Sequence, residues 1–397
     1  MNNNTKMVLP VIVIAQFLCT SLWFAGNAII PDLAIEFNLD RPALGHITSA
    51  VQSGFITGTF VYAFFLIADR FKASSVFLVS ALLGAVSNLG MLTGEQSISS
   101  LMVFRFLTGF FLAGIYPVGM KIASDHFEKG LGRALGFLVG ALVVGTAFPH
   151  LLKSLTTSLS WKTVLILTAL LSVCGGLLMK LFVPEGRYQK RAQALQLNAL
   201  FRVFRNPEFR SAAMGYFGHM WELYTFWAFV PVMIVTYKNL HPGTGLPVSS
   251  WSFWIIALGG LACVAGGYLS VKSGAKKIAS SALLLSGCCC LVSPIAFQFP
   301  VVIFLAFLIF WGLVVIADSP LFSTLVALNA IPEIKGTALT TVTCIGFSIT
   351  IASIELMNYL ATVLNQSVIF MFLAIGPVTG LFFMFSGRKQ TNAGQQS

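Results

Sequence analysis

The sequence predicts an all-α membrane protein of twelve transmembrane helices, arranged as two pseudo-symmetric six-helix bundles. Hydrophobic residues make up 57% of the 397 residues and charged residues only 9%, which excludes an ordinary soluble protein. Twelve apolar runs are each long enough to cross the ~30 Å of bilayer hydrocarbon. A charged segment ends the second run and has a counterpart after the eighth run. The chain therefore contains one unit twice.

The predicted spans form two sets of six, separated by a basic stretch. They cover residues 7–30, 43–67, 74–92, 98–123, 131–151, 161–183, 212–237, 249–270, 278–297, 301–328, 337–361 and 367–385. The first run continues to Ile30 without a clear small-residue cleavage site, so we expect a span rather than a secretory signal. We assign residues 1–184 to the first bundle, 185–210 to a cytoplasmic linker and 211–397 to the second bundle. Residues 195–201 of the linker are amphipathic and are expected to lie along the membrane surface.

The positive charges of the chain predict its orientation in the membrane. Lys and Arg number 24 against 13 Asp and Glu, a net charge of +11. They are concentrated at the termini and in the connections after spans two, four, six, eight and ten. This one-sided distribution is explained by the positive-inside bias and by anionic lipid headgroups, and no nucleic-acid partner is expected. Both termini are predicted to be cytoplasmic.

Cysteine and nucleotide-binding patterns indicate no cofactor. The seven cysteines all lie in apolar runs, three of them consecutively at 288–290, and none has metal-ligand spacing with histidine. A disulfide framework and a metal site are therefore not predicted. A phosphate-binding loop of the Walker type is also missing from the sequence, so ATP is not the expected energy source.

Several short motifs resemble those of the major facilitator superfamily of secondary transporters. Asp69 and Arg70 follow the second span as in the family's Gly-x-x-x-Asp-Arg-x-Gly-Arg-Lys loop. The copy after span eight keeps Gly267 but has Val271 in place of the acid. Residues 27–33 resemble the family's first-helix exit, and Arg105, in 105–109, resembles its fourth-helix arginine motif. The resemblance covers nearly the whole chain and is to bacterial twelve-helix members.

The resemblance implies a fold and a mechanism. Helices two and five of one half would meet helices eleven and eight of the other, and the halves would rock about a midplane site. Asp69 and Arg70 would act as a cytoplasmic gate that closes by charge pairing. The family's fifth-helix antiporter motif is only partly present, because Phe148 stands before Pro149 where the family has glycine. The protein is expected to be a monomer in the bacterial inner membrane.

Polar residues on one face of an apolar helix predict a cavity wall, since lipid offers no hydrogen bonds. The first span carries Gln16, Thr20, Trp23 and Asn27, and the eleventh carries Thr341, Ser348 and Glu355, together with Thr337 and Cys344. Trp221 and Tyr224 of the seventh span are further cavity candidates, with Trp23 and Trp221 able to stack on a planar or cationic solute. The alternative is hydrogen bonding between helices without a cavity.

Four ionisable residues lie inside predicted spans, where each costs ~2.5–3.5 kcal/mol on insertion scales. They are Arg105, Glu222, Asp318 and Glu355. His219 precedes Glu222 by three residues, so the two project from one side of the seventh helix. We expect a hydrogen-bonded His–Glu pair with a role in proton coupling; the alternative is a purely structural pair.

The other three ionisable residues allow more than one role. Asp318 precedes Ser319-Pro320 and is either a binding or second proton site or a cap on the turn that the proline breaks. Arg105 is either structural or part of a proton relay. Glu355 lies toward the outer end of its span, where an entrance role is expected.

These observations predict a secondary active transporter that moves a small solute across the cell membrane, driven by protons. Efflux of an amphipathic or cationic compound is the first hypothesis, because buried acids outnumber buried bases. Uptake of an organic or inorganic anion through Arg105 is the alternative. A membrane-embedded transferase and an uncoupled channel or receptor are alternatives of another class, although the sequence has no dense catalytic cluster at a membrane face.

Overall fold

The part of the chain that the structure describes forms twelve helical spans, α1–α12. The computed structural model describes residues 3–40, 42–94, 96–127, 131–155, 160–188, 203–331 and 335–386, with the backbone alone for 3–6 and 131–133. The first six spans are α1 (Asn3–Thr20), α2 (Ala43–Phe64), α3 (Ala73–Gly90), α4 (Ile98–His126), α5 (Leu131–Leu155) and α6 (Lys162–Phe182). The last six are α7 (Pro207–Leu240), α8 (Val248–Ser273), α9 (Ala275–Ala296), α10 (Val301–Asn329), α11 (Lys335–Val363) and α12 (Ile369–Ser386). The predicted twelve-span architecture is confirmed.

The two sets of six spans pack in the same pattern. In the first half α1 packs against α5 and α6, α2 against α4, and α3 against α6. In the second half α7 packs against α11 and α12, α8 against α10, and α9 against α12. Each contact of the first set thus recurs six helices later, as expected for a duplicated unit. Residues 189–202, which include the predicted amphipathic segment, lie outside the described residues.

Three spans, α1, α2 and α7, have a shorter or less apolar stretch than the others, and each carries buried polar groups. Among the described residues, nine helices are long and apolar enough to cross a membrane by length and composition alone. The apolar part of α1, Met7–Thr20, is shorter, and α2 and α7 are not among the nine. α2 buries Gln52 and α7 buries His219 and Glu222. Since lipid cannot solvate these groups, their helices must turn them toward protein.

Several spans are interrupted, and the interruptions of α4 and α10 correspond. α4 consists of the helices Ile98–Leu112 and Tyr116–His126, and α10 of Val301–Ala317 and Ser319–Asn329. Pro117 and Pro320 each occupy the second position of the segment that follows the break. Proline fits the first turn of a helix, where its missing N–H has no partner to lose. The fourth span of each half is therefore broken at an equivalent place.

The halves meet along α2 with α11 and along α5 with α8, which confirms the helix pairs that the family resemblance implied. At the α5–α8 crossing the backbones approach closely: a Cβ on Gly140 would lie 3.2 Å from the carbonyl oxygen of Gly260. Ser154 and Ser250 hydrogen-bond across the same pair of helices.

We call the membrane face away from both termini the distal face. The Ser154–Ser250 contact lies toward it.

Replacing Gly109 by alanine is expected to loosen the α2–α4 packing. A Cβ at this position would overlap the carbonyl oxygen of Val51, which belongs to a packed helix backbone. We expect a loss of ~1–3 kcal/mol, as for other overpacked sites, measured as a lower thermal unfolding temperature in detergent. Gly267→Ala is the matched control, since its Cβ would meet nothing within 4 Å. Equal unfolding temperatures for the two variants would contradict the assigned packing.

Candidate functional site

The first span is interrupted near the middle of the bundle, and Arg105 of α4 lies at the interruption. α1 ends at Thr20, and the chain continues through turns to the short helix Ala25–Ala28. Arg105 is fully buried; its Nη1 donates to the carbonyl oxygen of Leu22 at 3.0 Å, and its Nη2 donates to that of Trp23. A broken helix leaves carbonyl groups without their intrahelical partners. The guanidinium replaces those partners.

Gly26 is the close-approach residue at this interruption. A Cβ there would lie 3.0 Å from Nε and 3.1 Å from Cδ of Arg105. The absence of a side chain at position 26 thus leaves room for the arginine to reach the α1 backbone. Two of the guanidinium nitrogens are committed to that backbone, and Nε has no hydrogen-bond partner among the described residues.

The interrupted segment presents Trp23 to the second half. The Trp23 ring centroid lies 4.7 Å from that of Phe55, 5.7 Å from that of Tyr224 and 5.9 Å from that of Phe347. Phe347 in turn lies 4.5 Å from Phe55 and 5.0 Å from Tyr224. These separations are typical of interacting rings. We call Trp23, Phe55, Tyr224 and Phe347 the aromatic cluster; each half contributes two of its four rings, and all four are buried.

Buried polar atoms without partners are found on the helices that carry or adjoin this cluster. Such atoms are uncommon in native proteins and mark places where water or a ligand is expected. Within the described residues they include both polar atoms of the Gln16 and Gln52 amides, the indole nitrogens of Trp23 and Trp227, and the hydroxyl of Thr146. The Trp227 ring contacts Tyr224 of the cluster at 5.2 Å and Phe24 at 6.3 Å.

Two predicted cavity residues of the first span, Thr20 and Asn27, are instead partnered by protein. Thr20 donates to the carbonyl oxygen of Gln16 at 2.8 Å, four residues earlier. The amide nitrogen of Asn27 donates to the hydroxyl of Thr48 on α2 at 2.7 Å, while its Oδ1 has no partner in the described part of the chain. Both are buried. The α1 stripe therefore combines contacts between helices with free polar atoms.

Glu222 lies in a hydrogen-bond network inside the second half. Its carboxylate accepts from Ser286 Oγ at 2.8 Å, Trp311 Nε1 at 2.6 Å and Cys290 Sγ at 3.2 Å. These partners belong to α9 and α10. The predicted hydrogen bond between His219 and Glu222 is wrong, because the neighbouring helices supply the partners of both residues.

His219 is paired with Asp318 at the break in α10. His219 Nδ1 lies 2.8 Å from Asp318 Oδ1, and both side chains are only 1% exposed. His219 Nε2 and Asp318 Oδ2 have no hydrogen-bond partner among the described residues. The backbone carbonyl of Asp318 accepts from the N–H groups of Leu321 and Phe322 at 2.9 Å, which starts the second segment of α10. The side chain does not cap that segment. The pair therefore places two ionisable side chains in direct contact, each with a free polar atom in the described part of the chain.

The remaining predicted site residues lie in other places. The indole nitrogen of Trp221 donates to the carbonyl oxygen of Phe372 at 3.4 Å, so this ring packs against α12. Thr341 is half-buried and Ser348 is exposed. Glu355 contacts α2 of the first half.

The predicted gate residues lie in a short helix that follows α2, Ile67–Arg70. Asp69 forms an ion pair with Lys121 of α4 at 3.2 Å, and Lys121 also contacts Asp125 at 3.0 Å. Arg70 is exposed. The acid of the loop motif is thus joined to α4 of its own half. In the described residues no group of three or more His, Cys, Asp or Glu could hold a metal ion.

The family of the chain follows from its match to a family sequence profile. Residues 12–354 match the profile of the Major Facilitator Superfamily. The chain belongs to this superfamily. It is therefore a multi-pass membrane protein of this superfamily.

Relatives within the superfamily resemble parts of the chain. It is 29% identical over 144 residues to the "Putative niacin/nicotinamide transporter NiaP" of Bacillus subtilis. The aligned residues make up 36% of this chain and 35% of that protein. It is 27% identical over 171 residues to the "4-hydroxybenzoate transporter PcaK" of Acinetobacter baylyi. Here the aligned residues make up 41% of this chain and 35% of that protein. The matched region thus spans about a third of the length of these relatives.

Solved superfamily structures share the fold over nearly the full length. The proton:xylose symporter XylE superposes with a TM-score of 0.75 at 13% identity, covering 96% of this chain and 95% of that one. The nucleoside transporter NupG gives 0.74 at 14% identity, covering 96% and 100%. The human organic anion transporter MFSD10 gives 0.72 at 15% identity, covering 96% and 99%. At this level of identity the likeness concerns the fold alone.

Proposed function

We propose that this superfamily member is a secondary active transporter that moves a small planar aromatic solute by alternating access, coupled to protons. The observation that carries the proposal is the aromatic cluster. Its rings come from the interruption after α1 and from α2 in the first half, and from α7 and α11 in the second. A planar solute that stacks among them touches both halves, so its binding depends on how the halves are arranged.

An aromatic acid is the solute class that we favour. The two relatives above are named for niacin or nicotinamide and for 4-hydroxybenzoate, which are small aromatic compounds. Arg105 is committed to the α1 backbone, so a carboxylate would be held by neutral donors: the indole nitrogens of Trp23 and Trp227 and the amide of Gln52, all buried without partners. This assignment differs from the alternative that the sequence suggested, in which the positive charge of Arg105 binds the anionic solute.

An aromatic cation is the second candidate. It is favoured by the buried acids Glu222 and Asp318 in the second half, whereas the positive charge of Arg105 is engaged by carbonyl oxygens. Aromatic rings also attract cations at their faces. This candidate corresponds to efflux of an amphipathic or cationic compound.

We assign proton coupling to the His219–Asp318 pair. The pair is removed from lipid and bulk water, and Asp318 Oδ2 has no hydrogen bond to give up when a proton arrives. Intramembrane carboxylates and histidines in transporters commonly serve as proton relays. We further propose that both termini are cytoplasmic in a bacterial inner membrane, that a monomer is the working unit, and that Asp69 and Arg70 belong to the cytoplasmic gate.

Flux into proteoliposomes tests the proposal. Purified protein is reconstituted, a pH gradient is imposed in either direction, and accumulation of radiolabelled nicotinate and 4-hydroxybenzoate is followed. Accumulation that reverses with the gradient supports proton coupling, and the productive direction shows whether protons move with the solute or against it. Competition by a planar aromatic amine would favour the second candidate. Equilibration that ignores the gradient, or an absence of flux for acids and amines alike, contradicts the proposal.

Replacing Trp23 by leucine is expected to weaken solute binding. Leucine keeps apolar volume but removes the ring and the indole N–H, and an aromatic pair contributes ~0.5–1.5 kcal/mol beyond its buried area. The dissociation constant of the transported acid should rise by about tenfold, measured by quenching or by thermal shift at graded concentration. Trp254→Leu is the matched control, since that ring is 50% exposed on α8. Equal affinity in the two variants would remove Trp23 from the site.

A further inference from the structure

A second titratable pair joins the two halves near the distal face. His46 and Ser49 lie on α2, and Glu355 lies on α11. Ser49 Oγ donates to Glu355 Oε1 at 2.5 Å, and His46 Nδ1 lies 3.5 Å from Glu355 Oε2. One carboxylate of the second half is thus held by two side chains of the first half.

The helices touch directly beside this pair. The amide nitrogen of Asn358, one turn after Glu355, donates to the carbonyl oxygen of Pro42 at 3.0 Å. A Cβ on Gly45 would lie 2.5 Å from that same amide nitrogen, so position 45 has no room for a side chain. Because the Asn358 side chain packs against the α2 backbone here, a change in the His46–Glu355 interaction acts directly on whether α2 and α11 stay together.

Both members of the pair are partly exposed beside the start of α2, where the predicted span leaves the membrane. The side chain of His46 is 45% exposed and that of Glu355 is 36% exposed. They can therefore exchange protons with the medium while the halves remain in contact. This distinguishes them from His219 and Asp318, which are 1% exposed.

The charged neighbours of His46 leave Glu355 as its partner. On the short helix Ile30–Glu36, which packs against the start of α2, Asp32 is paired with Lys153 at 2.6 Å, and Glu36 lies 3.8 Å from Lys162. Asp40 precedes α2 and is exposed. Arg41 and Glu95 lie outside the described residues. On α11 the charged residues are Lys335, at the opposite end of the helix, and Glu355 itself.

We propose that His46 and Glu355 form a proton-operated latch that holds the distal face closed. When His46 is protonated, the pair is a charged contact across the halves. When His46 is neutral, the Ser49–Glu355 and Asn358–Pro42 hydrogen bonds remain without that attraction. Histidine is the side chain that changes charge between pH 5 and 8, whereas carboxylates lose their charge at lower pH. The closed state is therefore favoured at pH 5.5 and loses this contribution as the pH rises to 8.

The latch rests on the proposed alternating-access function, because only a face that opens needs one. With the termini cytoplasmic, the distal face is external, so the latch responds to external pH. Low external pH keeps the face closed until another event, such as solute binding, opens it. Since the pair is partly exposed, its effect on the ratio of open to closed molecules is about two- to fivefold.

Distances between the halves test the latch without relying on transport. Cys174, Cys288 and Cys344, the cysteines that are not fully buried, are replaced by serine in the full-length chain. Spin labels are then placed at the exposed positions Asp40 and Val363, near the distal ends of α2 and α11. The populations of short and long distances are measured in lipid nanodiscs at pH 5.5 and 8. We expect the long-distance population to grow about two- to fivefold with pH.

In the variants H46Q and E355Q the distance distribution should no longer depend on pH. At pH 5.5 both variants should give the distribution that the parent gives at pH 8. Lys162→Gln is the control: it deletes an ion pair of comparable exposure, with Glu36, that lies within the first half, and it should keep the pH dependence. The latch is overturned if the parent distances do not change with pH, or if H46Q responds like the parent. If the distances change as expected but no aromatic solute is transported, the latch stands and the proposed solute is wrong.

Discussion

Asp318→Asn is expected to abolish gradient-driven accumulation while leaving exchange of solute across the membrane. Asparagine preserves the size of the side chain and keeps an oxygen that can face His219, 2.8 Å away in the native pair. It cannot take up or release a proton at neutral pH. A carrier that can no longer load its proton still alternates when solute is bound on both sides. Accumulation should fall to the level of protein-free liposomes, whereas counterflow of preloaded solute continues.

Glu222→Gln is the matched comparison for this prediction, since it also replaces a buried acid of the second half by its amide. Glu222 accepts hydrogen bonds from three donors, Ser286, Cys290 and Trp311. On the Oε1 side an amide NH₂ would face the indole N–H of Trp311, which cannot accept, and such an unpaired buried donor costs ~1–3 kcal/mol. On the Oε2 side it would replace the hydrogen bond that the Ser286 hydroxyl donates. We expect a lower unfolding temperature with the response to the pH gradient retained. If E222Q loses accumulation and D318N keeps it, coupling belongs to Glu222, the role that the sequence favoured.

The spans could be predicted from the sequence because each depends on a local property. A run of about 20 apolar residues crosses the bilayer whatever surrounds it. The predicted tenth span, 301–328, therefore agrees closely with Val301–Asn329. The seventh was predicted as 212–237 but extends over Pro207–Leu240. Asn206 caps its start by accepting from the N–H of Glu208 at 2.9 Å, and the added turns lie where apolarity has already fallen.

The interruption of α1 was not predicted, because its cause lies on another helix. Residues 7–30 form one apolar run, and no proline or charge marks position 21 or 22. The break persists because Arg105, more than 80 positions away, supplies donors to the freed carbonyls. The partner of His219 shows the same limit. Helical spacing correctly placed His219 near Glu222 on α7. The partners of both side chains, however, come from α9 and α10, and the sequence of α7 carries no information about them. Phe55 and Phe347 had no local signal that separated them from the other phenylalanines.

Arg105→Lys is expected to be as damaging as Arg105→Met, which separates a positioning role from a charge role. The guanidinium donates to the carbonyl oxygens of Leu22 and Trp23 from two different nitrogens. A lysine ammonium keeps the charge but is a single point on a flexible stem and cannot reproduce the planar two-pronged geometry. Each charged hydrogen bond to a buried carbonyl contributes ~1.5–3 kcal/mol. Both variants should unfold at lower temperature than the parent and bind the aromatic acid weakly.

The solute affinity of these variants distinguishes a positioning role of Arg105 from recognition of the solute by its charge. If Arg105 acts through the α1 interruption, its loss displaces Trp23 from Phe55 and Tyr224, so R105K and R105M should match Trp23→Leu in affinity. If instead the arginine recognises an anionic solute by its charge, R105K should retain affinity near that of the parent and R105M should not. Gly26→Ala provides an independent check. It leaves the arginine in place but adds a Cβ 3.0 Å from its Nε, and we expect it to lower affinity by the same displacement of Trp23.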